Sequence, residues 1–167
     1  MQKRSLLKYL TGLLATGAGA GAASAAPAAP FPLQKTEAQW RATVSPAAYD
    51  VLFDHGTERA GSSPLDTEKR SGTFVCAACH QPLFDAAHKY DSGTGWPSFW
   101  QPLDGAVATK TDFKMILPRT EYHCTRCGGH QGHIFDDGPR PTGKRYCNNG
   151  VALAFVPQGQ ALPALRT

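Results

Sequence analysis

Apolar positions along this chain fall into two regimes. Between Thr36 and His55 they recur at helical spacing, with Tyr49, Leu52 and Phe53 on one side. Thr36 stands where it can cap a helix, with Gln39 in the capping-box position. Ser45-Pro46 restarts one, Ser as N-cap and Pro at the first helical position, and Gly56 supplies a stop. The pattern predicts a short helix pair over 36–55 and an irregular loop over 56–72. From Gly72 onward, short apolar or β-branched runs replace it: 73–76, 82–84, 113–117, 121–124, 134–135, 145–148 and 151–156. Turn signals separate them, including Asp91-Ser92-Gly93, Asp104-Gly105, Asp137-Gly138-Pro139 and Asn149-Gly150. These runs read as antiparallel strands, so the fold class is mostly β with short helices at the amino end.

Composition agrees. Gly 17 and Pro 13 in 167 residues argue against long helices, and a 41% hydrophobic fraction suits a chain with one real core. Charge changes the picture only at the amino end. Lys3, Arg4 and Lys8 precede a mildly apolar run from Tyr9 to Ala20, followed by small residues with a cleavage site at Ala23-Ser24-Ala25. Residues 1–25 therefore read as an export signal, 26–33 as a Pro/Ala linker and 34–167 as the domain. Lys3-Arg4-Ser5-Leu6-Leu7-Lys8 is similar to a twin-arginine signal with Lys for the first Arg. The expected location is the periplasm, or a membrane tether if the segment stays attached. Without its 3 basic residues, the chain carries 14 basic against 13 acidic side chains, from totals of 17 and 13. A near-neutral domain with no basic recognition helix after either Cys-x-x-Cys speaks against a nucleic-acid partner.

Candidate chemistry lies in five cysteines. Cys76 and Cys79, and Cys124 and Cys127, form two Cys-x-x-Cys pairs separated by residues 80–123. Each pair fits a zinc knuckle, and four thiolates leave no open position, which makes the role structural. Two disulfides, or one redox-active dithiol, remain alternatives in an exported protein. Cys147 has no partner. It follows Arg140, Lys144 and Arg145, whose charge favours thiolate, and a turn over 139–143 would bring His130 and His133 toward it. A thiolate beside imidazoles can act as a nucleophile with a general acid; the other reading is a buried, inert cysteine with two satisfied histidines. Gly93-Thr94-Gly95-Trp96-Pro97-Ser98-Phe99-Trp100 is the other unusual stretch. It offers either an aromatic platform for a methyl or thioether group or plain core packing.

Taken together, residues 34–157 resemble the B-type peptide-methionine-(R)-S-oxide reductases. The resemblance rests on His55-Gly56-Thr57-Glu58-Arg59, the two knuckles, 89–99, Gly132-His133-Ile134-Phe135, Asp137-Gly138-Pro139 and 141–149, all in the family's order. It implies two small antiparallel sheets with flanking helices. Structural zinc would sit on Cys76, Cys79, Cys124 and Cys127. Cys147 would be the nucleophile, with His130, His133 and Asn149 lining the site and Asp137 and Arg145 in support. Trp96 would hold the substrate methyl group, with Phe135 beside it. Gln131 stands where Leu is usual, with no consequence legible in the sequence. Thr94 stands where many members carry a resolving Cys.

The implied reaction is reduction of the R epimer of methionine sulfoxide in proteins through a Cys147 sulfenic acid. With Thr94 in that position, an external thiol, thioredoxin-like or small, would regenerate the enzyme. A monomer is expected. The competing readings are a non-catalytic zinc-stapled peptide-binding module and a general thiol-disulfide oxidoreductase.

Overall fold

The computed structural model describes residues 31–114 and 117–167. The expected signal over 1–25 and most of the linker lie outside the described residues. Helices α1 (Glu37–Thr43) and α2 (Pro46–Asp54) start where the caps require. The Thr36 hydroxyl accepts from the Gln39 N–H at 3.3 Å, and Gln39 Oε1 accepts from the Thr36 N–H at 2.8 Å. The Ser45 hydroxyl accepts from the Ala48 N–H at 3.2 Å, with Pro46 opening α2. The stop comes one residue earlier than expected: His55 itself takes the left-handed conformation (φ 56, ψ 34). A histidine tolerates that backbone better than a bulky apolar residue. Trp40, Ala48, Tyr49, Val51 and Leu52 are buried, and Trp40 stacks on Phe53 at 4.7 Å.

Among the described residues, nine strands form two antiparallel sheets. The smaller is ordered β2-β1-β9, with β1 at Gly72–Cys76, β2 at Pro82–Asp85 and β9 at Leu153–Pro157. The larger is ordered β3-β4-β8-β7-β6-β5. Its strands are β3 (Lys89–Tyr90), β4 (Ser98–Phe99), β5 (Val107–Asp112), β6 (Arg119–Cys124), β7 (His130–Phe135) and β8 (Arg145–Asn148). The turn over 139–143 joins β7 to β8, closed by Gly143 N–H to Pro139 O at 2.9 Å.

One expected strand, 113–117, is not found at its described positions, its centre at 115–116 lying outside the described residues. Phe113 and Leu117 are 75% and 76% exposed and belong to the connection between β5 and β6. The strand in that region is Val107–Asp112, a polar, half-exposed edge pairing only with β6. Apolar content misleads here because an edge strand is held by its ladder rather than by burial. The last run also splits, into a 3-10 turn at Gly150–Ala152 and β9.

Alternation divides the large sheet into two chemical faces. Phe99, Tyr122 and Tyr146 point to the core. There Phe84 stacks on Phe99 at 4.1 Å, with Phe74 edge-on at 5.0 Å. The expected aromatic platform is therefore divided: Phe99 is core, and Trp100 packs on His88 at 4.1 Å. On the opposite face, register aligns Lys110, Glu121, His133, Cys147, Ser98 and Tyr90 in one row across all six strands.

Candidate active site

Cys76 and Cys124 end strands β1 and β6, and Cys79 and Cys127 sit in the turns that follow. Both turns close alike: His80 N–H to Cys76 O and Gly128 N–H to Cys124 O, each 2.9 Å. All four thiols are buried and free. The Cys76–Cys127 and Cys79–Cys124 sulfur distances are 3.7 and 3.6 Å. A disulfide requires about 2.05 Å. Tetrahedral zinc with ~2.3 Å bonds separates its sulfurs by about 3.8 Å. The cluster thus fits a zinc ion and excludes disulfides in this arrangement; the four ligand atoms lie within 4.8 Å of one another.

Cys147 lies apart from this cluster. It lines a cavity of about 120 Å³ with Thr57, Trp96, Arg119, Gly132, His133, Phe135, Asn148 and Asn149. Strand register sets His133 directly opposite Cys147. Gly132 makes that approach possible, since a Cβ there would fall 1.8 Å from the Cys147 carbonyl oxygen. The basic flank does not act as expected. Lys144 pairs with Asp136, and Arg145 is engaged bidentately by Asp137 at 2.8 and 2.9 Å. Burial raises the Cys147 pKa. The Arg145 charge and hydrogen bonds from Thr94 and Arg145 only partly oppose it, and Asp137 pushes the same way as burial. The resting group is a thiol at neutral pH.

The two predicted histidines have different surroundings. His133 Nε2 lies 2.8 Å from Asp112 Oδ2, which Arg119 also holds at 2.6 Å. Hydrogen bonds from the Lys114 backbone and from His133 keep Asp112 well below the usual carboxylate range, against burial. An ionised carboxylate only accepts, so His133 carries its proton on Nε2 and a lone pair on Nδ1. Burial lowers the His133 pKa, partly opposed by the Asp112 bond and reinforced by the Arg119 charge. His130 is buried and does not line the Cys147 cavity. Its Nδ1 lies 2.6 Å from Glu121 Oε1, while His123 Nδ1 lies 3.2 Å from the other oxygen. Burial would raise Glu121, but bonds from His123 and His130 hold it at about 2. A bulge at β6 Tyr122/His123 turns His130 to the same side as His133, with ring centroids 5.3 Å apart.

The remaining predicted residues take supporting positions. Asn149 lines the cavity, but its side chain is committed: Nδ2 donates to Gln131 O at 3.0 Å and Oδ1 accepts from the Glu58 N–H at 3.1 Å. Trp96 Nε1 donates to Glu58 O at 3.1 Å, which fixes the indole at the cavity wall. The Arg145 guanidinium lies 4.2 Å over the Phe135 ring. Sequence reasoning missed Thr57, Asp112, Arg119 and Glu121, and the role of Glu58, whose carboxylate takes the Gly150 and Val151 N–H groups after Cys147. The quoted His55-Gly56-Thr57-Glu58 run was the available signal for two of them. Asp112 and Arg119 carried none, because only strand pairing brings them together.

Gln131 has a consequence after all. It is fully buried. Its Nε2 donates to Cys76 Sγ at 3.6 Å, and its Oε1 accepts from Asn148 Nδ2 at 3.3 Å. One amide thus ties a cluster thiol to the residue after Cys147.

Fold and site define a two-sheet β protein with a thiol–imidazole cavity on one sheet and a separate four-sulfur staple. The SelR domain matches residues 44–157. The chain is 50% identical over 125 residues, 74% of its length and 95% of the relative's, to "Peptide methionine sulfoxide reductase MsrB" of Thiobacillus denitrificans. Proteins of the same name from Leptospira interrogans (46% over 126 residues, 75% and 96%) and Methanosarcina barkeri (47% over 124, 74% and 87%) are similar. The chain belongs to the SelR-domain family of MsrB enzymes.

Gln131→Leu should keep the fold but loosen the cluster. Outer-shell partners typically contribute 10–100-fold to metal affinity. Zinc release to a chromophoric chelator should accelerate by a comparable factor, and an unchanged release rate would show that the N–H···S contact does nothing.

Proposed function

We propose that this chain reduces the R epimer of methionine sulfoxide in proteins, with Cys147 as nucleophile and His133 as the group that moves the proton. The single observation carrying the mechanism is Cys147 directly opposite His133 in a small cavity walled by Trp96 and Phe135. Aromatic faces suit a methyl group and a polarisable sulfur. The resting pair is neutral: burial favours the thiol over the thiolate and the imidazole over the imidazolium.

When the sulfoxide enters, Cys147 passes its proton to His133 Nδ1 and the thiolate attacks the sulfoxide sulfur. The imidazolium, steadied on Nε2 by Asp112, protonates the sulfoxide oxygen, giving an adduct with a Cys147 S–S bond and a hydroxyl on the former sulfoxide sulfur. That hydroxyl passes to Cys147 Sγ as the S–O and S–S bonds to that sulfur break and methionine leaves as the thioether. One proton serves both steps, and general acid help of this kind is typically worth ~10²–10⁴-fold. The net change is two electrons: the sulfoxide becomes a thioether, and its oxygen ends on Cys147 as a sulfenic acid. His130, held by Glu121, positions His133 rather than touching substrate.

Regeneration falls to an external thiol. Thr94 stands where many members of the family carry a resolving cysteine, and the other four cysteines form the buried cluster. One thiol attacks the sulfenic acid, releasing water and forming a mixed disulfide; a second thiol reduces that disulfide. The four-cysteine cluster would hold structural zinc on Cys76, Cys79, Cys124 and Cys127, which fixes the two knuckles and takes no part in the chemistry. The basic, apolar and small-residue order of residues 1–25 supports export to the periplasm of a monomeric mature domain. The mature amino terminus should then be Ala26 by sequencing, and full-length chain in the cytosol would count against export.

After one turnover without reductant, mass spectrometry should find sulfenic acid on Cys147, and Cys147→Ser should abolish reduction of a methionine-R-sulfoxide peptide. A disulfide from Cys147 to another cysteine of the chain would refute external regeneration.

The neutral pair also fixes the pH profile. His133 must be unprotonated, and its pKa lies below the ordinary 6.5; Cys147 must be protonated, and its pKa lies above the ordinary 9.0. The expected kcat/KM is flat between pH 6.5 and 9.0 and falls on both sides. Activity that climbs steadily across that window would mean a pre-formed thiolate is the reactive species.

A further inference from the structure

Beside the Cys147 cavity lies a second recess of about 160 Å³, bordered by His55, Lys110, Asp112, Lys114, Glu121 and His130 among others. It shares Thr57, Arg119 and His133 with the first. At its inner end His130 and Glu121 are both buried, while His55 is exposed at its mouth. The left-handed turn at the end of α2 brings the His55 ring over β7, 5.5 Å from the His130 ring. One nitrogen from each ring and one Glu121 oxygen all lie within 4.8 Å of one another.

We infer that His55, Glu121 and His130 form a binding site for one divalent transition-metal ion, separate from the four-cysteine cluster. Two imidazoles and one carboxylate are the ligand set of an open zinc site, with the fourth position left to water. Here that position faces the recess. Tetrahedral ligands at ~2.0–2.1 Å sit about 3.4 Å apart. With the ligand atoms within 4.8 Å of one another, closure of at most about 1.4 Å is needed, and exposed His55 can supply the motion. Burial, with the Lys110 and Lys114 charges, lowers the His55 pKa, so its ring is in the unprotonated, metal-binding form at neutral pH. The carboxylate is already ionised.

Two features set the strength. Lys110 Nζ lies 3.8 Å from the second Glu121 oxygen and competes with an incoming cation, and Lys114 adds a second positive charge at the rim. The site is therefore of modest affinity, suited to an excess of free metal rather than to a permanent cofactor. A metal bound there takes Glu121 and His130 out of their support of His133 and roofs the shared wall of the Cys147 cavity. Occupancy is thus expected to inhibit. The inference rests on the geometry of the triad and not on the reaction assigned to Cys147.

The test titrates Co²⁺ into protein whose four-cysteine cluster is already loaded with zinc, in a Cys147→Ser background that removes the remaining thiol. One saturable equivalent should appear by calorimetry, with weak visible ligand-field bands and no sulfur-to-cobalt charge-transfer band. His55→Ala alters only an exposed side chain and should weaken binding by more than the ~10–100-fold that losing an outer-shell partner costs. Lys110→Ala should tighten it. No saturable binding, a charge-transfer band from the second equivalent, or binding indifferent to both variants would overturn the site.

Discussion

The close passage of β7 against β8 at Gly132 is the constraint on which the rest of this structure depends. No Cβ fits there, because it would meet the Cys147 carbonyl at 1.8 Å. With the strands that close, His133 falls opposite Cys147, and the bulge one step earlier turns His130 toward the same side. Gln131, between them, points the other way and reaches Cys76 Sγ. Three consecutive residues thus serve three tasks: facing Cys147, strand contact and support of the four-cysteine cluster.

The same geometry sets the electrostatics. Each histidine of the polar face is bound to a carboxylate from β5 or β6, so ring orientation and tautomer are imposed rather than chosen. Cys147 receives less help. Its nearby cation, Arg145, is already held by Asp137, and burial makes the thiol the stable form. On the proposed mechanism, reactivity comes from a neighbouring base at the moment of attack rather than from a lowered resting pKa. The cluster on the other side of Gln131 holds the two knuckles together, and the Asn148–Gln131 bond passes that rigidity to β8.

Much of this was legible in the chain. Thr36, Gln39, Ser45 and Pro46 announced both helix starts, because capping is a local hydrogen-bond problem solved by adjacent residues. The two Cys-x-x-Cys pairs announced a four-sulfur site for a similar reason, each being a self-contained turn. Phe113 and Leu117 misled, since exposed connections can carry apolar residues as strands do, while the polar strand at 107–112 left no hydrophobic trace. Gln131 was unreadable because its partners lie 55 and 17 residues away.

By itself, the sequence determined where helices begin, where strands and turns alternate, which four cysteines form a set and which one stands alone. Those properties depend on side chains within a few positions of one another. Tertiary structure alone decided that His133 rather than His130 shares the Cys147 cavity, that Asp112 and Glu121 are the carboxylates behind them, and that burial overrides the basic flank of Cys147. Each of those outcomes depends on strand register and on the water excluded when the sheet is covered, neither of which is a property of any short stretch of chain.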